Sequence, residues 1–214
     1  QDLSLIISVF GVISVIYGAL MTLRQTDLKR LVAFSSVSHM GYILIGLSAF
    51  SSTDLITQKL GLSGASLQMV SHGLITGLLF YLVGGIYEKC KTREVYELGG
   101  LSSNFKFSSV ALAISGMASL GLPGTSGFIA EIMVFMGGFA EYNILTSISV
   151  FGVVLAAGYI LWMLQRVIFG TSNNDYSKLS DLNIVEKIPV LILLFSILFI
   201  GIYPRFITDV LNIG

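Results

Sequence analysis

Apolar residues run in long stretches along this chain, broken by short polar connections. Six stretches stand out, at 3–23, 31–50, 64–87, 108–138, 144–169 and 188–203. A helix needs about 20 mostly apolar residues to cross a bilayer, so the pattern predicts an all-α integral membrane protein of about six transmembrane helices. The connections are too short to hold a soluble domain. Residues 1–214 therefore read as a single transmembrane domain, with an interfacial tail over 204–214. The fourth stretch is too long for one straight helix. It contains Leu122-Pro123-Gly124-Thr125-Ser126-Gly127, in which Pro123 lacks a backbone donor and Gly124 loosens the chain. Irregular backbone at membrane depth survives in a protein interior or beside a water-filled cavity. The expectation is a discontinuous helix, a device that places polar groups near the midplane; the plainer alternative is a proline kink.

Composition agrees: 54% of residues are hydrophobic and 11% charged, against roughly 25% charged in soluble domains. The formal net charge is zero, which speaks against a nucleic-acid partner. One cysteine, Cys90, can form no internal disulfide and hold no iron–sulfur cluster. The opening segment, which starts at Gln1, is too long and too glycine-punctuated to read as a cleaved leader. Basic residues add an orientation. If the six spans alternate, ten fall on one side (Arg24, Lys29, Arg30, Lys89, Lys91, Arg93, Lys106, Arg166, Lys178 and Lys187) and two, Lys59 and Arg205, on the other. The positive-inside rule makes the richer side cytoplasm-equivalent and puts both ends of the chain on the outer side.

Polar residues inside the stretches carry the chemistry. Ser35, Ser36 and Ser38 mark a face packed on protein, because serine hydroxyls bond back to their own helix or across to a neighbour. Gln68, His72 and Thr76 follow i, i+4, i+8 and form one polar stripe. It serves either interhelical hydrogen bonding or a proton or ion path. Eleven of twelve acidic residues fall in loops or near span ends; Glu131 does not. A charged side chain at a helix centre costs about 2.5–3.5 kcal/mol on insertion scales, so it pairs or performs a task, and its protonation can respond to a neighbouring charge. His39 and His72, the two histidines, both fall inside spans. They fit proton relay, ligation of one b-type haem between two helices, or plain buried hydrogen bonding. Tyr159, Trp162 and Arg166 near the end of the fifth span read as interface anchors. The linker from Gly170 to Lys187 reads as polar surface chain.

Three segments resemble hallmarks of the antiporter-like subunits of respiratory complex I: Arg24-Gln25-Thr26-Asp27-Leu28-Lys29-Arg30-Leu31-Val32-Ala33-Phe34-Ser35-Ser36-Val37-Ser38-His39-Met40-Gly41, Leu67-Gln68-Met69-Val70-Ser71-His72-Gly73-Leu74, and Leu120-Gly121-Leu122-Pro123-Gly124-Thr125-Ser126-Gly127-Phe128-Ile129-Ala130-Glu131. The likeness extends to Gly201-Ile202-Tyr203-Pro204 and is strongest to the subunit 4 type. The subunit 5 type has lysine at the Glu131 position, and a second histidine and a lysine after the His72 position; Ser71-His72-Gly73-Leu74-Ile75-Thr76 lacks both.

The resemblance implies the last six helices of a fourteen-helix fold. The first eight, with a lysine–glutamate pair and a further lysine, would lie on another chain or segment. It implies a membrane-arm subunit of NADH:quinone oxidoreductase that pumps protons while quinone is reduced elsewhere. It further implies that Glu131, His72 and His39 lie on a central hydrophilic axis as proton relay, supported by Lys29, Gln68 and Thr76. No cofactor or metal is expected in this chain; NADH, FMN, iron–sulfur clusters and quinone belong on other subunits, and the partners are those subunits and lipid. A Mrp-type cation/proton antiporter subunit and a purely structural membrane module are the alternatives. The stretch Ala156–Arg166 looks more like bacterial plasma-membrane or mitochondrial inner-membrane chains than thylakoid ones.

Overall fold

A computed structural model describes residues 2–171, 176 and 179–211. Asp175, Lys178 and the last three residues of the tail lie outside it. Eight α-helices occur among the described residues: α1 (Asp2–Leu23), α2 (Leu28–Ser48), α3 (Leu55–Cys90), α4 (Lys106–Ser119), α5 (Ser126–Glu141), α6 (Asn143–Phe169), α7 (Ile184–Ile202) and α8 (Arg205–Leu211). Five of them, α1, α2, α3, α6 and α7, are long and apolar enough to cross a membrane. The remaining predicted span, 108–138, is divided between α4 and α5, of 14 and 16 residues. At about 1.5 Å per residue they measure about 21 and 24 Å. Neither half reaches across alone, and in series they exceed a hydrocarbon core of about 30 Å.

The break between them is built by the residues the sequence put there. Gly121 takes a left-handed conformation at φ +70°. Its N–H donates to the Ala118 carbonyl and the Leu122 N–H to the Met117 carbonyl, both at 3.2 Å. This is the Schellman closure of a helix C-terminus, which favours glycine at that position. The next four residues, Leu122-Pro123-Gly124-Thr125, close a tight turn through the Thr125 N–H and the Leu122 carbonyl at 3.0 Å. Gly124 sits at φ +92°. Proline second and a positive-φ glycine third fit a type II turn. The break is two successive reversals, not a proline kink.

Helix starts precede the apolar boundaries by four residues or more in two places. α3 begins at Leu55, not near 64, because Asp54 caps it: its carboxylate accepts from the Ile56 and Thr57 N–H groups at 3.3 and 3.1 Å. An N-cap stabilises a helix start whatever the polarity of the residues that follow, so Gln58 and Lys59 are helical. α7 starts at Ile184 rather than 188, where Asn183 and Glu186 form a reciprocal capping box. The described part of the Gly170–Lys187 linker is held at two points. The buried Tyr176 donates its hydroxyl to the Glu97 carbonyl at 3.1 Å, and Lys89 donates to the Asp181 carbonyl at 3.2 Å. The tail, as far as described, is helical, and Ile207 packs near Leu67, Ala130 and Met133.

Two clasps at opposite ends of the bundle show the alternation of the first spans. At one end the Leu28 N–H donates to the Arg93 carbonyl, the Val95 N–H to the Thr26 carbonyl, and Arg93 Nε lies 3.3 Å from Asp27 Oδ2. At the other, hydrogen bonds join Ser4 to Tyr142 and Ser51 to both Ser4 and Glu141. The start of α1, the end of α2, the end of α5 and the start of α6 therefore share one face. The loops carrying most of the basic residues share the opposite one.

Candidate functional site

Glu131 occupies the second turn of α5, whose other acidic residue, Glu141, is its last. Helical side chains lean toward the N-terminus, so its carboxylate reaches back to the break. A Cβ added at Gly121 would stand 2.6 Å from Glu131 Oε2. The glycine thus does two things: it closes α4 and it leaves room for the carboxylate. Glu131 is 7% exposed.

α2 and α3 bring both histidines to this carboxylate. His39 Nδ1 lies 3.7 Å from Glu131 Oε1, and the His39 and His72 rings are 5.7 Å apart between centroids. The Nε2 atoms of both histidines are buried and have no hydrogen-bond partner, as is Gln68 Oε1. Ser71 and Ser126 hydroxyls meet at 2.7 Å and fasten α3 to the first residue of α5. Thr76 donates back to the His72 carbonyl at 2.5 Å. Between these groups is a narrow cavity lined by Ser35, His39, Gln68, His72, Thr76 and Glu131 among others, of about 10 Å³, room for roughly one water. Buried polar atoms without protein partners are satisfied by such water.

Of the residues singled out in the sequence, Glu131, His39, His72, Gln68 and Thr76 come together around this cavity, and Pro123 and Gly124 form the break beneath it. Lys29 does not. It is exposed at the start of α2, beside a separate cavity lined by Phe80, Tyr87 and Arg93. Its position follows from the chain: it is two residues past the cap Asp27, more than two helical turns from His39. Tyr159 is also displaced from its expected place. It is fully buried with its hydroxyl unpartnered, whereas Trp162 meets Tyr96 edge-on at 5.9 Å and Arg166 lies over the same ring. Burial removes Tyr159 from the expected set of interface anchors. The serines behave as their chemistry predicts: Ser35 and Ser36 bond back to the Val32 carbonyl, and Ser38 crosses to the Val15 carbonyl of α1 at 3.0 Å. Gly121 was not singled out; its signal was its place two residues before Pro123.

The arrangement does not fit a haem. Imidazole rings 5.7 Å apart around a water-sized space leave no slot for a porphyrin. Among the described residues, no group of three His, Cys, Asp or Glu side chains could hold a metal ion. What the site offers is a carboxyl and two imidazoles in series, able to pass a proton through water.

A family profile described as "NADH:quinone oxidoreductase/Mrp antiporter, TM" matches residues 1–157. The chain belongs to this family. Among curated relatives, it is 39% identical over 211 residues to F(420)H(2) dehydrogenase subunit M of Methanosarcina mazei, covering 99% of this chain and 41% of that protein. It is 41% identical over 213 residues to NAD(P)H-quinone oxidoreductase chain 4 of Prochlorococcus marinus subsp. pastoris, covering 94% and 37%. The chain thus spans about two fifths of the length of these relatives. Solved structures agree. In respiratory complex I from Thermus thermophilus with bound NADH, the TM-score is 0.87 at 25% identity, covering 96% of this chain and 42% of that one. In the membrane-bound sulfane sulfur reductase, an archaeal respiratory membrane complex, the TM-score is 0.91 at 26% identity, covering 100% and 34%. The Mrp complex from Dietzia shares the fold at 18% identity and TM-score 0.84. These findings identify a membrane protein of the antiporter-like, subunit 4 type.

Proposed function

We propose that this antiporter-like chain is a proton-translocating module in the membrane arm of an NADH:quinone-oxidoreductase-type complex, with Glu131 as the group that takes and releases the proton and His39 and His72 as relays. The observation that carries the reading is the sequence of titratable groups at the helix break: the Glu131 carboxylate, His39 at 3.7 Å and His72 a ring contact further on. Gln68 and Thr76 orient the water between them. Lys29 stands apart from the cavity, on the face that carries most of the basic residues. Redox chemistry belongs to other subunits; this chain supplies proton transfer coupled to it. The remaining helices of the longer relatives, on another chain or segment, complete the path.

The energetic demand is modest. Moving one charge against 100 mV takes about 2.3 kcal/mol, equal to between about one and two pKa units. A buried carboxylate whose neighbours change charge provides a shift of that size. An exchanger of the Mrp kind is the weaker reading: the relatives near 40% identity are named as dehydrogenase and oxidoreductase chains, while the Mrp likeness supports the fold alone. The membrane is energy-transducing, a bacterial plasma membrane or mitochondrial inner membrane; the cyanobacterial relatives add the thylakoid, which Ala156–Arg166 had disfavoured. The deciding experiment is Glu131→Gln in the assembled complex. Protons translocated per electron pair should fall while assembly and electron transfer persist. Full pumping in that variant would sink the proposal.

A further inference from the structure

Gly201-Ile202-Tyr203-Pro204 closes the last span and has no part in the proposed relay of Glu131, His39 and His72. Four residues of α7 are buried: Val190, Ile197, Ile200 and Gly201. Val190, Ile197 and Gly201 follow i, i+7 and i+11 and share one side of the helix. Ile200 beside them packs with Leu67 of α3 and Ala130 of α5. The buried side of α7 therefore ends at Gly201, and that residue lies against the helix break. A Cβ added there would stand 2.4 Å from the Gly124 carbonyl oxygen, 2.4 Å from the Thr125 carbonyl carbon and 2.5 Å from Thr125 Cα. Ordinary contact between carbon atoms is about 3.5–4.0 Å. All three neighbours are backbone, so no side chain can rotate aside. The turn itself would have to move by about 1 Å.

A shift of the turn reaches Glu131 by a short, stiff route. Thr125, the last residue of the turn, is the N-cap of α5, and Ser126 is its first helical residue. Glu131 follows five residues later on the same helix, a rise of about 7.5 Å. The Ser126 hydroxyl meets that of Ser71 at 2.7 Å, and a Cβ at Gly127 would stand 2.7 Å from the Ala118 carbonyl oxygen. The start of α5 is thus held by α7 at Gly201, by α3 at Ser71 and by the end of α4 at Ala118. The Glu131 carboxylate in turn fills the space that Gly121 leaves open. A carboxylate between such limits depends on where its helix begins. Hydrogen bonds tolerate a few tenths of an ångström, and misplacing a reacting group by about 1 Å costs on the order of 100-fold in rate.

We propose that Gly201 is a positioning residue for the Glu131 carboxylate: it seats the turn of residues 122–125 on α7, and that seating, with the Ser71–Ser126 bond, sets where α5 presents Glu131. This rests on the proton-translocating reading above, so the test keeps the two apart. In the assembled complex, reconstituted in vesicles, two quantities are measured for Gly201→Ala and Val190→Ala: protons per electron pair, and the infrared carboxyl band that Glu131→Gln removes. Val190→Ala loosens the same buried side of α7, 11 residues from Gly201, and adds no atom at the break. Gly201→Ala should lower the proton ratio by about twofold or more and shift the band, with electron transfer retained. Val190→Ala should lower thermal stability and leave the ratio and the band as in wild type. A wild-type ratio or an unshifted band in Gly201→Ala, or the same changes in Val190→Ala, overturns this inference and leaves the function standing. A wild-type ratio in Glu131→Gln sinks the function first, and the band alone then decides the positioning. Should Gly201→Ala not assemble, Ser126→Ala decides, since it frees the same turn from α3 and adds nothing. A shifted band with a lowered ratio in that variant supports the seating of the turn, and wild-type values overturn it.

Discussion

His39 Nδ1 stands 3.7 Å from Glu131 Oε1, just beyond a direct hydrogen bond and well within the range in which one charge changes the other's protonation. The two groups come from helices whose polar residues face each other across the break. If His39 relays to Glu131, His39→Ala should lower protons per electron pair while electron transfer continues, and His39→Gln, which keeps a hydrogen-bonding side chain but cannot take the charge, should do the same. Pumping restored by glutamine would mean that His39 only holds a hydrogen bond.

The clearance at Gly121 gives a sharper contrast. Gly121 and Gly124 both have positive φ, and an alanine in that conformation costs about 1–2 kcal/mol. A Cβ at Gly124 meets nothing within 4 Å, whereas one at Gly121 meets the Glu131 carboxylate. Gly121→Ala should therefore damage both stability and proton transfer, and Gly124→Ala stability alone. Thermal unfolding of the purified complex, paired with pumping assays, reads the difference.

Much of this was legible in the chain itself, and for local reasons. Pro123 and Gly124 restrict or free their own backbone, so the break shows without knowledge of any neighbour. Glu131 stands out because an apolar helix has no ordinary use for a charge. The meeting of His39 with His72 is a different matter. Which face of α2 meets which face of α3 is decided by packing, including the close approach of Gly46 to Gly61, and a helical period places each histidine on its own helix only. For the same reason Lys29 could be grouped with the site by its motif and yet lie far from it, and Tyr159 could be read as an anchor when its side of α6 faces the interior. The start of α3 was missed because hydropathy reports the membrane, whereas Asp54 decides where the helix begins.

Topology can be tested with thiols. Thr53 and Lys91 are exposed at opposite ends of the bundle, in the loop before α3 and just after it. With the native Cys90 replaced by serine, a membrane-impermeant maleimide should label Thr53→Cys from the outer side and Lys91→Cys from the cytoplasm-equivalent side. Labelling of both from one side would contradict the alternation of the spans.

Asp181 couples the linker to the broken helix, and its effect depends on pH. The first turn of α4 has no capping side chain of its own. The Phe107 and Ser108 N–H groups donate to Asp181 Oδ2 at 2.7 and 3.3 Å, and the Ser108 hydroxyl donates to Oδ1 at 2.5 Å. Partial burial pushes its carboxyl upward, but the hydrogen bonds from Ser108, Leu182 and Phe107 outweigh it and hold it below the usual aspartate range. A carboxyl lowered on folding stabilises above its unfolded value, about 3.9, and that stabilisation is lost as pH falls through the lower folded value. Asp181→Ala should cost about 1 kcal/mol at neutral pH, the usual worth of an N-cap. Asp181→Asn, which caps nearly as well, should cost little there. The decisive measurement is stability against pH: the alanine variant's deficit should shrink on acidification below pH ~4. A deficit constant across that range would mean that the carboxylate's charge contributes nothing to holding the linker against α4.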